Sequence, residues 1–190
     1  MAKLSNLLQG CTKTKLAGMS GTAYIGLFPE IDVFPRTKAE IALAADPAAV
    51  IPAGDTKRLG EAVVYKTGGY HRQVQILVDT GNASNASEGE IGGQMNKGRF
   101  NLFLYGNEDE VREWLDCIMD NSGCMHIAAP SKDGQVHSYG TPDYPVWLES
   151  YEGGSGGDRV GYNVVLYTSF PRTNHSMNLT DFPLGLTPAA

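Results

Sequence analysis

Cysteine is scarce in this chain. Among 190 residues only Cys11, Cys117 and Cys124 carry a thiol. The number is odd and no paired metal-ligand spacing occurs, so neither a disulfide framework nor a zinc module organises the fold. Cys117 and Cys124 read as small buried hydrophobes. Charge is also scarce, at 19% of residues against about a quarter in an average globular chain. Its balance is acidic, with a formal net charge of -6. That argues against a general nucleic-acid-binding surface, which would be basic, and leaves room for a surface that repels nucleic acid. No apolar run approaches the ~18 residues of a membrane span. Leu8-Gln9-Gly10-Cys11 resembles a lipoprotein box, but Lys3, Ser5, Asn6 and Gln9 interrupt any apolar stretch before it. No secretory leader or membrane partner is expected. Without one, Asn82-Ala83-Ser84 and Asn85-Ala86-Ser87 read as a polar loop rather than glycosylation sites.

Recognisable chemistry is equally thin. His71, His126, His137 and His175 are scattered and form no helical metal pair. His126 and His137 could face each other across a hairpin at Asp133-Gly134, with Cys124 the only nearby third ligand. Exposed hairpin histidines are the simpler reading. A thiol nucleophile at Cys117 or Cys124 beside His126 lacks an oxyanion-hole motif. Gly153-Gly154-Ser155-Gly156-Gly157 is neither a nucleophile elbow nor a phosphate loop, because a strand follows it and no Gly-Lys-Ser/Thr does. The acids Glu108, Asp109, Glu113, Asp116 and Asp120 read as a solvated helix face. No catalytic residue, metal or cofactor is assigned, and an enzyme is not expected.

What the chain does have is a strong strand–helix–strand signal from Lys97 to Ala129. Val111, Trp114, Leu115, Ile118 and Met119 fall at i, i+3, i+4, i+7 and i+8, one stripe of a 3.6-residue period. Asn107 followed by Glu110 predicts an N-cap with a capping box, Glu108 and Asp109 suit the positive end of the helix dipole, and Gly123 predicts the stop. The helix is expected over 108–121. Strands are predicted at Thr22–Phe28, Glu61–Lys66, Tyr70–Asp79, Glu88–Met95, Arg99–Tyr105, Cys124–Ala129, Gln135–Tyr139, Tyr144–Tyr151 and Val160–Phe170. Gly68-Gly69 and Lys97-Gly98 read as turns, Thr80–Ser87 as a loop, and Gly153–Asp158 as a flexible link. Tyr70–Asp79 alternates, with Tyr70, Arg72, Val74, Ile76 and Val78 on one face and His71, Gln73, Gln75, Leu77 and Asp79 on the other.

The sum is a mainly β domain spanning 1–190: a β-sandwich or barrel of about eight strands with one packed α-helix. It carries an N-terminal arm (1–21), a long loop (29–59, with room for a helical turn near Ala39–Ala45) and a C-terminal arm (171–190). Loops of that length are unusual inside a compact domain. Arms and loop are expected to lie on neighbouring copies, where ordering them offsets its entropy cost.

In this arrangement the chain resembles a phage tail tube subunit. The likeness covers roughly residues 20–170. It lies in the Thr22–Phe28 strand before a long excursion, the Tyr70–Asp79 and Glu88–Tyr105 strands, the single helix, and Pro145-Val146-Trp147-Leu148-Glu149-Ser150 followed by a Gly-rich link and Asp158–Phe170. The element order is also similar to other structural proteins of tailed phages and prophages. The resemblance implies strands joining around a six-fold ring into an inner barrel, and a loop and arms touching adjacent rings. It implies an acidic lumen through which genomic DNA slides without specific binding. Asp79, Glu88 and Glu90 are the lumen-facing candidates, since the helix should sit outside the barrel. The partners would be further copies of the chain and other tail proteins, and the location the virion tail after assembly in host cytoplasm. Two alternatives stay open. One is a tail terminator or head–tail connector that makes one ring. The other is a carbohydrate-binding sandwich presenting Tyr139, Tyr144, Trp147 or Tyr151.

Overall fold

Alternating apolar and polar residues can be satisfied only by sheets with one dry face, and the chain builds two of them. In a computed structural model the described residues are 21–52, 54–75, 82–89, 95–130, 136–156, 159–170, 175–177 and 185. In chain order they form β1 (Thr22–Leu27), a 3-10 turn (Phe28–Glu30), β2 (Ile31–Val33), α1 (Lys38–Ala45), β3 (Val64–Tyr65), β4 (Arg72–Gln75) and β5 (Asn82–Glu88). Then follow β6 (Met95–Tyr105), α2 (Asp109–Asp120), β7 (Met125–Pro130), β8 (Val136–Tyr139), β9 (Trp147–Gly156), β10 (Arg159–Phe170) and β11 (His175–Met177). One sheet runs β11-β8-β7-β1-β4, a second β5-β6-β10-β9, and β2-β3 form a small ribbon. The pairings are antiparallel. The fold is mainly β and sandwich-like, as expected.

The two larger sheets face each other across the main core. Ala23, Ile25, Leu27, Val74, Met125 and Ile127 come from the first sheet, and Phe100, Leu102, Leu104, Val164 and Leu166 from the second. Helix α2 adds Val111, Trp114, Leu115, Cys117 and Ile118 to the same core. Each buried Val, Leu, Ile, Phe or Met side chain among them contributes about 1.5–3 kcal/mol relative to exposure. Met119, expected in this stripe, is only half-buried, and Cys117 is buried in its place.

The N-cap of α2 differs from expectation. The cap is Glu108, with no side-chain hydrogen bond, not Asn107. The reason lies across the sheet. The Tyr162 hydroxyl donates to Asn107 Oδ1 at 2.7 Å, occupying the oxygen a cap would have used. At the other end Gly123 has φ +83°, the left-handed stop that was expected. Its NH donates to the Val146 carbonyl at 3.0 Å. A Cβ there would lie 2.6 Å from the Trp147 ring, so the indole packs against a glycine.

Residues 29–59 are not a bare loop. Thr37 accepts from the Glu40 NH at 3.2 Å and Glu40 accepts from the Thr37 NH at 2.7 Å, a full capping box. Together they start a second helix, α1, that the sequence reading placed only as a possible turn. A neck closes the excursion: Thr37 bridges Leu59 and Arg36 Nη2 reaches Glu61 Oε1 at 2.6 Å. The excursion then folds back on its own sheet. Ile31, Leu59 and Val63 pack with Ala128 and Val136 in a second apolar cluster, flanked by Tyr24, Phe28, Phe34 and Tyr65. The first sheet is therefore covered on both faces.

Several strands shift. The expected loop over Thr80–Ser87 is largely strand β5, whereas the expected strand at Glu88–Met95 falls mostly outside the described residues. Lys97-Gly98 is no turn but lies inside β6, paired with Ser169 and Thr168. The flexible link is strand as far as Gly156, because Tyr162 lays its ring over Gly153, 2.5 Å from where a Cβ would be. Of the expected strand Tyr70–Asp79, β4 covers Arg72–Gln75; Tyr70 and His71 precede it, and 76–79 lie outside the described residues. Part of the C-terminal arm packs on its own chain, since β11 pairs with β8 and forms the border of that sheet. The N-terminal arm and Cys11 lie outside the described residues.

Candidate functional site: a buried histidine pair and a charged sheet face

Strand alternation sends Ile25, Val74 and Ile127 into the main core, and sends Gly26, His71, His126 and Ala128 to the covered outer face of the first sheet. His71 and His126 are fully buried there. Their rings touch: His71 Nε2 lies 2.8 Å from His126 Nδ1. The Tyr65 hydroxyl bonds His71 Nδ1, and His126 Nε2 lies 2.8 Å from Ser138 Oγ. The result is one continuous chain, Tyr65–His71–His126–Ser138, linking β3, the start of β4, β7 and β8.

Its surroundings explain its position. Gly26 makes room, since a Cβ there would lie 2.5 Å from His71 Cε1 and Nε2. Phe34 sets its ring edge against His126 at 5.3 Å between centroids, and Phe28 at 6.3 Å. The His71 NH donates to the Gly185 carbonyl at 2.8 Å, tying the C-terminal region to the same point. Next door, buried Arg72 donates to Glu30 Oε1 at 2.6 Å and lies over the Tyr70 ring at 4.2 Å.

Burial disfavours charge here. It holds His71 well below the ordinary histidine range, helped by His126 and the Arg72 guanidinium. Burial likewise raises the Tyr65 phenol. With both rings neutral, one N–H per ring satisfies every link in the chain. The result is a continuous hydrogen-bonded chain inside a layer interface. Among the described residues no group of three His, Cys, Asp or Glu could hold a metal.

The alternative in which His126 and His137 face each other does not form. The β7–β8 register sets His137 opposite Ala129 and Ser138 opposite Ala128. His126 is buried rather than an exposed hairpin residue, and its partner is His71, which lies far away in sequence. The sequence signals bear on each residue singly and not on the pairing: His126 sits in the otherwise apolar run Met125–Ala129, and alternation sets His71 on the face opposite Val74.

The second candidate surface is the wet face of the β5-β6-β10-β9 sheet. Arg99 grips Glu149 with Nε at 2.8 Å and Nη2 at 2.9 Å. Lys97 donates to Glu149 Oε1 at 2.9 Å and sits 4.5 Å above the Tyr167 ring. Glu88 joins at 3.5 Å from Arg99 and 3.9 Å from Lys97. The Arg99 hydrogen bond, ahead of Lys97, draws Glu149 down to about 2. Of the lumen candidates, Glu88 is thus exposed but ion-paired, while Asp79 and Glu90 lie outside the described residues.

The aromatic candidates do not share a platform. Tyr139 is buried at 3% exposure, and Tyr144 stacks edge-on against Phe170. A register shift in β9 sets Trp147 opposite Tyr167 but Tyr151 opposite core residue Val164, so these two rings belong to opposite faces. No family model, curated protein or solved structure matches the chain.

Proposed function

We propose that this chain is a structural subunit of a phage tail tube, joining edge to edge with copies of itself into rings that stack as a DNA conduit. The observation that carries the reading is the border strand β5. Its seven residues pair with β6 without a register shift. Its first six residues are Asn, Ala or Ser, and its one charge, Glu88, lies at the end beside Arg99 and Lys97 of its own sheet; among the described residues no strand lies on the other side. Monomeric proteins blunt such borders with charge, proline or bulges. A border uncharged over six residues is a template for a neighbour's strand, and pairing it satisfies backbone groups that would otherwise face water. Repeated head-to-tail, such contacts close a ring.

Among the described residues the other borders are β9, which carries the register shift, and β11 and β4 of the first sheet. A head-to-tail ring pairs β5 of one copy with one of these borders on the next. The ion-paired wet face beside β5 suits a wall that passes DNA without gripping it. The split aromatics weigh against a carbohydrate-binding module. A terminator differs only in stopping at one ring.

Sedimentation and negative-stain microscopy of the purified chain test the proposal. Rings or tubes are expected, and rings that never lengthen would shift the reading to the terminator. Ser87→Lys, placing a charge on the border, should abolish assembly while leaving circular dichroism unchanged. A wild-type chain that stays a solitary particle at millimolar concentration would overturn the tube reading.

A further inference from the structure

The buried histidines lie at a seam. On one side is the first sheet, contributing His71, His126, Ser138 and Gly26. On the other is segment 28–66, contributing Tyr65, Phe28 and Phe34. We propose that the His71–His126 pair is an acid-operated latch: neutral rings hold segment 28–66 on the sheet, and taking up two protons releases it.

The geometry sets the rule. A single 2.8 Å gap separates His71 Nε2 from His126 Nδ1, and it accommodates one hydrogen. Two imidazolium rings would aim two N–H groups into that gap. One added proton fits the hydrogen-bond pattern, but it is then buried beside Arg72, whose own charge is matched by Glu30. Among the described residues, the other side chains around the pair are uncharged: Tyr65 from β3, Ser138 from β8, and Phe28 and Phe34 from the segment, with Gly26 of β1 beneath His71. His137 is on the alternate face of β8, and Lys66 is spent on the Pro29 carbonyl at 2.9 Å. Opening exposes both rings to water, where each titrates near pH ~6.5. Release also uncovers Ile31, Leu59 and Val63 together with Ala128 and Val136, an apolar face hidden while the latch is closed. The latch operates whether or not the chain builds tubes.

Hydrogen exchange of the full chain between pH 7.5 and 5.0, corrected for intrinsic rates, tests this. Amides of β2, α1 and β3 should open about a thousandfold more readily at pH 5.0, from two rings of ordinary pKa, while β6 and β10 stay protected. His126→Gln, which keeps a polar partner but removes one titrating ring, should reduce the change to about thirtyfold. Tyr65→Phe should raise opening about fivefold at every pH and keep the wild-type pH slope. A wild-type change below about threefold, or β6 and β10 opening in step with the segment, would overturn the latch. Loss of the slope in Tyr65→Phe would overturn it as well, placing the titrating group elsewhere.

Discussion

Single residues in this protein decide whether layers can meet. Gly26 is the sharpest case, because a methyl there would occupy the volume of the His71 ring. Gly26→Ala is expected to cost about 2–3 kcal/mol through overpacking, read as a lower urea midpoint with unchanged slope. Glu149 acts at a different level. Its folded pKa of about 2 lies below the ordinary carboxylate value. Its stabilisation is therefore full above pH ~4.5 and is lost as pH falls towards 2. The group is partly exposed, so its contribution is discounted to about 1 kcal/mol. Glu149→Gln should lower stability by that amount at pH 7, and the gap to wild type should close near pH 2. His71 has the same sign for a different reason. Its folded pKa is depressed, so the unfolded chain binds the extra proton and stability drops as pH falls below about 6.5.

At the level of elements, the capping box of α1 is a clean target. Thr37→Ala should cost about 1 kcal/mol and speed exchange in Lys38–Ala45 while leaving β10 unchanged. This helix also shows what the sequence conceals. Helix α2 was legible because five apolar side chains fall in one stripe. Helix α1, Lys-Ala-Glu-Ile-Ala-Leu-Ala-Ala, has no such stripe, and only Thr37 and Glu40 mark its start. Strand β5 was read as a loop because Asn-Ala-Ser-Asn-Ala-Ser-Glu has no apolar alternation; a border strand is held by backbone pairing and needs no dry face. Strands β1, β7 and β10 were legible because they do bury one. The N-cap of α2 was misplaced by one residue because Tyr162, distant in sequence, takes the Asn107 oxygen. The histidine contact was illegible for the same reason: local pattern places a residue on a face but does not say what covers that face.

For the whole molecule, the excursion is part of the body rather than an arm reaching outward. Replacing residues 34–59 with a short Gly-Ser linker should remove Leu59 and Phe34 from the second cluster and bare the first sheet. The expected outcome is aggregation and a lower thermal midpoint, measured by light scattering and circular dichroism; a soluble, equally stable product would contradict the two-core description. The first sheet is thus a covered middle layer, and the wet face of the other sheet carries the ion-paired Lys97, Arg99, Glu88 and Glu149 together with exposed Glu152. A bore lined by that mosaic would present mostly paired charge and only a weak net field along its axis. A passing polyanion would meet little electrostatic friction, and its transit rate would hardly respond to ionic strength, unlike travel through a uniformly negative pipe.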